Sequence, residues 1–291
     1  MGNRKMWRKL PLTCLMLLIA LVILFPIGIT IVNSLMTEKE IVSNYGMIGQ
    51  MDNVEEGRNE FVNLKLIPDW VSLEQYNRIL IETPKYMLLF WNSVRMVVPI
   101  LIGQTAVAAL AAYALAILRF PGRDKLFVLY LLTMLMPFQV TLVPNYMMAD
   151  RLGLIGSESS IVLPGIFSAF GVFLLRQFML HIPYAYIEAA KIDGAGQFRI
   201  FSQIVIPLVK PGLAALQVLL FVDYWNMVEQ PLIFLDEMYK QPLSVFLQTI
   251  NEGDKGVAFA ASVLYMTPMV LLFLDAESYL IEGVQLSGVK G

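Results

Sequence analysis

Six stretches of roughly 20 or more mostly apolar residues restrict this chain more than anything else in it, because a helix crosses a bilayer core of about 30 Å with about 20 such residues. They fall at about 11–34, 87–118, 126–148, 161–181, 213–235 and 258–280. The second is longer than an upright span needs, so it tilts or begins outside the hydrocarbon. The alternating pattern of a membrane barrel is absent, and helices satisfy their own backbone hydrogen bonds in lipid. The predicted fold class is an all-α membrane protein with six transmembrane helices. Composition bears on partners: 57% of the residues are hydrophobic, 15% are charged, and the net charge is -2. That balance suits membrane lipid and predicts no nucleic-acid partner.

Charge sets the orientation. Arg4, Lys5, Arg8 and Lys9 precede the first apolar run, which places residues 1–10 in the cytoplasm. That run is too long for a signal peptide and no small-x-small cleavage site follows it, so 11–34 reads as a retained anchor. With six spans the C-terminus returns to the cytoplasm. The turn "LRFPGRDKL" puts Arg119, Arg123 and Lys125 on the same side, whereas loop 150–160 balances Arg151 with Asp150 and Glu158. Residues 37–86 form an extracytoplasmic segment, and 87–291 hold the five remaining spans with a cytoplasmic loop at 182–212.

The chain carries little catalytic chemistry. Cys14 and His181 are each alone in the sequence, which removes disulfides, a zinc site and a Cys–His nucleophile pair within one chain. Cys14 reads as a lipid-facing or packing residue and His181 as an inner-edge residue. No G-x-x-x-x-G-K-[ST] occurs, "GAG" at 194–196 is too short for a dinucleotide fingerprint, and "GLIG" at 153–156 is a loop. The prediction is a protein that is not an enzyme, binds no cofactor or metal, and draws any driving energy from a partner or an ion gradient.

One stretch departs from the apolar pattern: "IEAAKIDGAGQFRIFSQIVIPLVKPG", residues 187–212, fenced by Pro183, Pro207 and Pro211. "YAYIEAAKIDGAGQF" reads as a short helix with a compact face at Ala189, Ala190 and Ala195, turning at Gly194 and Gly196. Small residues admit a close surface, and Glu188 and Asp193 offer acceptors to basic side chains. An interfacial helix resting on lipid would show basic residues opposite large apolar ones. Phe198, Ile200 and Phe201 fit that pattern, but the Glu-Ala-Ala and Asp-Gly-Ala cores do not.

Glu188-Ala189-Ala190, then Asp193-Gly194-Ala195, Phe201, Ile204, Pro207 and Pro211 resemble the EAA loop of permease subunits in binding-protein-dependent ABC importers. "YALAILRFPGRDKL", "MPFQVTLVPNYMMADRLGLIGS", "VLPGIF" with Arg176 and Phe178, "PLIF" and "GVKG" resemble the carbohydrate-uptake branch, the type that includes the smaller permease of the maltose importer. The resemblance runs from about residue 70 to the end; residues 37–66 match nothing in it. It implies a cytoplasmic EAA coupling helix seated in a cleft of an ATPase, with Glu188, Ala189, Ala190, Asp193, Gly194, Ala195, Phe201 and Pro207 as coupling residues. It further implies a second permease subunit, two ATPase domains that hold ATP and Mg, an extracytoplasmic solute-binding protein, and a bacterial plasma membrane location. The cargo would be a sugar or oligosaccharide, or another solute such as a polyol phosphate.

Within such a permease, closure of the ATPase dimer would move 184–196 as a body, with Pro207 and Pro211 stiffening the exit into the fifth span. Asp223, Tyr224, Trp225, Asn226 and Glu229 are the candidate translocation pathway, since polar groups are costly in hydrocarbon. Hydrogen bonding to the partner subunit explains them equally well. Relatives often read Trp-Asn-acid there, whereas Met227 follows Asn226 here. Arg95 reads as snorkelling to the outer interface. The outer loop 236–256 either reaches the binding protein or simply connects, and Asp275, Glu277 and Glu282 pair with basic groups near the cytoplasmic end. A secondary transporter would show inverted repeats and broken helices, and a membrane hydrolase a nucleophile with its base; neither pattern is found.

Overall fold

A computed structural model describes the backbone of residues 2–45, 64–248 and 255–288, with side chains over 11–45, 64–248 and 256–279. The N-terminal basic residues and Glu282 therefore lie outside the described side chains. Most of residues 37–66 and part of the 236–256 loop lie outside the described residues altogether. Among the described residues every regular element is helical. Apart from the short helical turns Glu74–Asn77, Arg78–Glu82 and Met238–Lys240, the helices are α1 (Gly2–Ser34), α2 (Glu38–Tyr45), α3 (Pro84–Ala116), α4 (Arg123–Met134), α5 (Phe138–Arg151), α6 (Ser159–Ile166) and α7 (Ala169–Leu180). They continue with α8 (Tyr184–Ile192), α9 (Gln197–Leu208, with a π turn at Phe201–Val205), α10 (Lys210–Trp225), α11 (Glu229–Phe234), α12 (Leu243–Gln248) and α13 (Lys255–Gly288). Two compact units result: 1–87 with 247–267, and 88–246 with 268–291.

In the first unit α1 ends where its chain turns polar. Thr37 accepts the Glu40 N–H through its hydroxyl at 3.4 Å, which starts α2 with one of its orphan donors satisfied. Met36, Ile41 and Tyr45 form a small core with Val32 and Phe259. Tyr45 donates to Asn33 Oδ1 at 3.2 Å, Ser34 meets the Tyr76 hydroxyl at 2.7 Å, and Tyr86 donates to the Ala261 carbonyl at 3.1 Å.

In the second unit Met96, Ile100, Ala149, Ile161, Phe234 and Leu235 form one cluster of the core. The helices approach through glycines: a Cβ at Gly171 would stand 2.9 Å from that of Ala108, and one at Gly212 would strike the Phe178 ring. Such contacts suit a bundle in which packing, not water, drives association. Gln217 adds an interhelical hydrogen bond to Thr105.

Four described helices are long and apolar enough to cross a membrane, at Pro11–Ser34, Pro84–Ala116, Ser159–Leu180 and Gly256–Tyr279; the number reaches six when each of two bent pairs counts as one span. Two of the expected runs are interrupted. The run 126–148 is not a straight helix but α4 and α5, meeting at 98°, because Pro137 supplies no N–H and holds the residue before it out of the helical region. The run 161–181 corresponds to the candidate span Ser159–Leu180, within which α6 and α7 adjoin. The run 213–235 holds α10 only to Trp225, after which the backbone breaks and α11 begins at Glu229. At the entry to α10, α9 meets it at 74°, and Pro207 and Pro211 flank the bend.

Candidate functional site

The 184–196 segment owes its shape to its last turn. α8 follows Pro183 and closes at Asp193. Gly194 takes φ +78°, its N–H bonds the Lys191 carbonyl at 3.1 Å, and the Ala195 N–H bonds the Ala190 carbonyl at 2.9 Å. These two crossed bonds, around a left-handed glycine, form the Schellman stop that satisfies the carbonyls at a helix end. The spacing Ala190, Asp193-Gly194-Ala195 is thus a backbone requirement, with Ala190 buried and Ala195 half-buried as its apolar clasp. Gly196 then returns to extended backbone and opens α9.

The faces of α8 divide cleanly. Ile187 and Ala190 are buried, while Glu188, Ala189, Lys191 and Asp193 are exposed. Ile192 at 85% and Phe198 at 78% exposure stand on either side of the Gly194 turn. Ile192 is not singled out by the sequence, since an apolar residue in so apolar a chain carries no signal of its own. Behind the segment, Tyr113 donates to Gln197 Oε1 at 2.7 Å and packs edge-on against Phe201 at 5.2 Å. The Arg119 guanidinium lies 4.8 Å over the Tyr184 ring, and Lys191 reaches the Tyr184 hydroxyl at 3.4 Å. Pro207 is exposed in the last turn of α9.

Arg176, noted in the sequence only as part of a motif, is a buried fastening. Its Nε donates to the Leu115 carbonyl at 3.2 Å, its guanidinium carbon lies 3.7 Å over the Phe127 ring, and its Nη2 is 3.5 Å from Asp124 Oδ1. One side chain therefore ties the ends of α3, α4 and α7 together just behind the turn that carries Arg119.

The five polar and aromatic residues of the expected fifth span do not share one role. Trp225 is buried, stacked on Phe221 at 5.0 Å and edge-on to Phe90 at 5.7 Å. Tyr224 is half-buried and donates to the Gly165 carbonyl at 3.3 Å. Asn226 turns its amide back on the Val222 carbonyl at 2.7 Å and so ends α10. Asp223, Asn226 and Glu229 are the exposed members, and Glu229 begins the next helix rather than continuing the span.

Residues 85–275 match the family described as binding-protein-dependent transport system inner membrane component. The chain belongs to this family. The permease is 31% identical over 233 residues to the arabinooligosaccharides transport system permease protein AraQ of Halalkalibacterium halodurans, covering 79% of this chain and 84% of that one. It is 34% identical over 208 residues to the sn-glycerol-3-phosphate transport system permease protein UgpE of Pectobacterium atrosepticum, covering 70% and 74%. Its fold is similar to a chain of the crystal structure of a bacterial ABC transporter involved in the import of the acidic polysaccharide alginate, with a TM-score of 0.76 at 22% identity over 96% and 98% of the two chains.

The permease also fixes the connector before α12 in a way the sequence did not suggest. Asn92 of α3 donates to the carbonyls of Tyr239 and Gln241 at 2.7 and 3.1 Å, and the Ser93 hydroxyl accepts the Leu243 N–H at 2.9 Å. Residues 239–243 are fastened to α3 rather than hanging as a loop. Arg95 is exposed on the same helix.

Proposed function

We propose that this chain is one permease subunit of an ATP-driven importer that moves a sugar or oligosaccharide delivered by an extracytoplasmic binding protein. In this reading it pairs with a second permease subunit and with two ATPase domains that carry the ATP and Mg. It binds no cofactor itself and performs no bond chemistry. Six spans cross the bacterial inner membrane, with both termini in the cytoplasm.

The observation that carries the reading is the α8 segment: a helix stopped at Gly194, with Ile187 and Ala190 holding it to the bundle and Glu188, Ala189, Lys191, Ile192 and Asp193 turned outward. We assign to it the uptake of motion from the ATPase, with Phe201 and Pro207 passing that motion into the α9–α10 bend. Packed helices switch between discrete arrangements, so a body attached at one buried face transmits displacement without dissipating it. Asp223, Asn226 and Glu229 line the path, and Tyr224 and Trp225 hold their helix end in place.

Relatives named for sn-glycerol-3-phosphate transport favour a second cargo, a polyol phosphate. The two readings separate in one experiment. The tagged chain is purified from its native membrane, its partners are identified, and ATPase activity is measured with the co-encoded binding protein and either arabino-oligosaccharides or glycerol phosphate. Stimulation by the loaded binding protein is the expected result, and the ligand that gives it names the cargo. A chain that purifies without a second permease and an ATPase overturns the proposal.

A further inference from the structure

The extracytoplasmic stretch "LKLIPDWVSL", residues 64–73, has two unlike sides. One side is tied to α2: Lys65 pairs with the buried Glu40 at 2.9 Å and with the exposed Asp69, and the Asp69 N–H donates to Glu40 Oε1 at 2.8 Å. Asp69 first and Glu40 second hold the Lys65 ammonium above its ordinary range. Leu66, Ile67, Trp70, Val71 and Leu73 turn the other way, with Ile67, Trp70 and Val71 at 76%, 80% and 73% exposure. An apolar face of this kind is not left to water without cause.

Its depth is fixed by one bond. The Ser72 N–H donates to the Leu35 carbonyl at 2.8 Å, one residue beyond the end of α1, whose own exposed apolar side chains run from Leu12 to Ile31. The exposed side of 64–73 therefore continues the surface of a helix that crosses the bilayer, at that helix's outer end. The backbone here is irregular, which bars it from the hydrocarbon but not from the headgroup level. Tryptophan with aliphatic neighbours is the composition that a membrane interface favours.

We propose that residues 64–73 form a foot resting in the outer leaflet, with Ile67, Trp70 and Val71 dipped into the headgroup–acyl boundary and the Glu40–Lys65–Asp69 cluster holding the foot to the outer end of α1. The occupant of this face is phospholipid.

The test uses the complete transporter in nanodiscs of phosphatidylethanolamine and phosphatidylglycerol, with Cys14→Ser as background and a nitroxide attached in turn at Ile67→Cys, Trp70→Cys and Asn77→Cys. Labels at 67 and 70 are expected to relax faster with oxygen than with a water-soluble nickel chelate, at a depth of about 5–10 Å. The label at 77, exposed on the neighbouring helical turn, is the comparison site. Preference for the nickel chelate at 67 and 70, or a signal that falls when binding protein is added, makes the face a water-exposed docking surface and overturns the proposal. Poor access to both reagents means that another subunit covers it, which overturns it equally.

Discussion

At Gly194 the backbone stands at φ +78° with open space where a Cβ would go, so the obstacle to substitution is conformational and not steric crowding. A β-branched residue in that region costs about 1–2 kcal/mol. Gly194→Val should leave membrane insertion intact while lowering solute uptake and binding-protein-stimulated ATPase activity; Gly194→Asn should keep most of both, because asparagine tolerates the left-handed turn. Uptake assays in cells lacking the wild-type copy check this, and equal behaviour of the two variants would count against the turn as the sensitive feature. Arg176 poses a different problem, since its loss removes a carbonyl hydrogen bond and a cation–π contact from a buried place. Arg176→Met is expected to destabilise by about 2 kcal/mol, read as a lower thermal aggregation midpoint of the detergent-solubilised complex. Asp124→Asn should move that midpoint little: the carboxylate is 75% exposed, and such pairs contribute at most about 1 kcal/mol.

Among the elements, α7 is held closest to its neighbours. Gly171 meets Ala108 of α3 at 2.9 Å and the Leu216 side chain of α10 at 3.4 Å, both measured from an added Cβ. Gly171→Leu would overpack both contacts, a cost of about 1–3 kcal/mol, and the yield of folded complex in size-exclusion chromatography should fall accordingly. The element scale is also where sequence and structure part company. The runs 11–34 and 258–280 were legible almost to the residue, as the candidate spans Pro11–Ser34 and Gly256–Tyr279. The run 126–148 looked equally good, yet hydropathy adds up residues without regard to direction, and Pro137 turns the chain by 98° inside it. α4 and α5 have 12 and 14 residues, about 18 and 21 Å, so neither reaches across the core alone. Gly194 was readable as a turn because glycine four residues after Ala190 has a specific backbone meaning. Trp225 was not readable as core, because an aromatic beside Asp223 and Asn226 suits a sugar path as well as a packed helix end. Ile192 was passed over for the opposite reason, as one more apolar residue among many.

For the molecule as a whole, the surface left bare is as informative as the surface packed. α1 keeps its apolar side chains exposed along most of the predicted span, and the outward side of α8 has no cover among the described residues. A subunit of this kind gains stability from its assembly, since a partner that binds only the folded state shifts the equilibrium toward it. Produced without the second permease, the chain should disappear faster in a pulse-chase measurement than when the two are made together; equal lifetimes would mean that lipid alone satisfies it. The left-handed turn at residue 194 carries a consequence in another currency, that of the genetic code. Every single-base missense change in a glycine codon installs a side chain, and of the two residues that best tolerate a left-handed turn such a change reaches aspartate but not asparagine. Most one-step departures from glycine therefore strain the turn, and the layout of codons narrows the route out of it to aspartate.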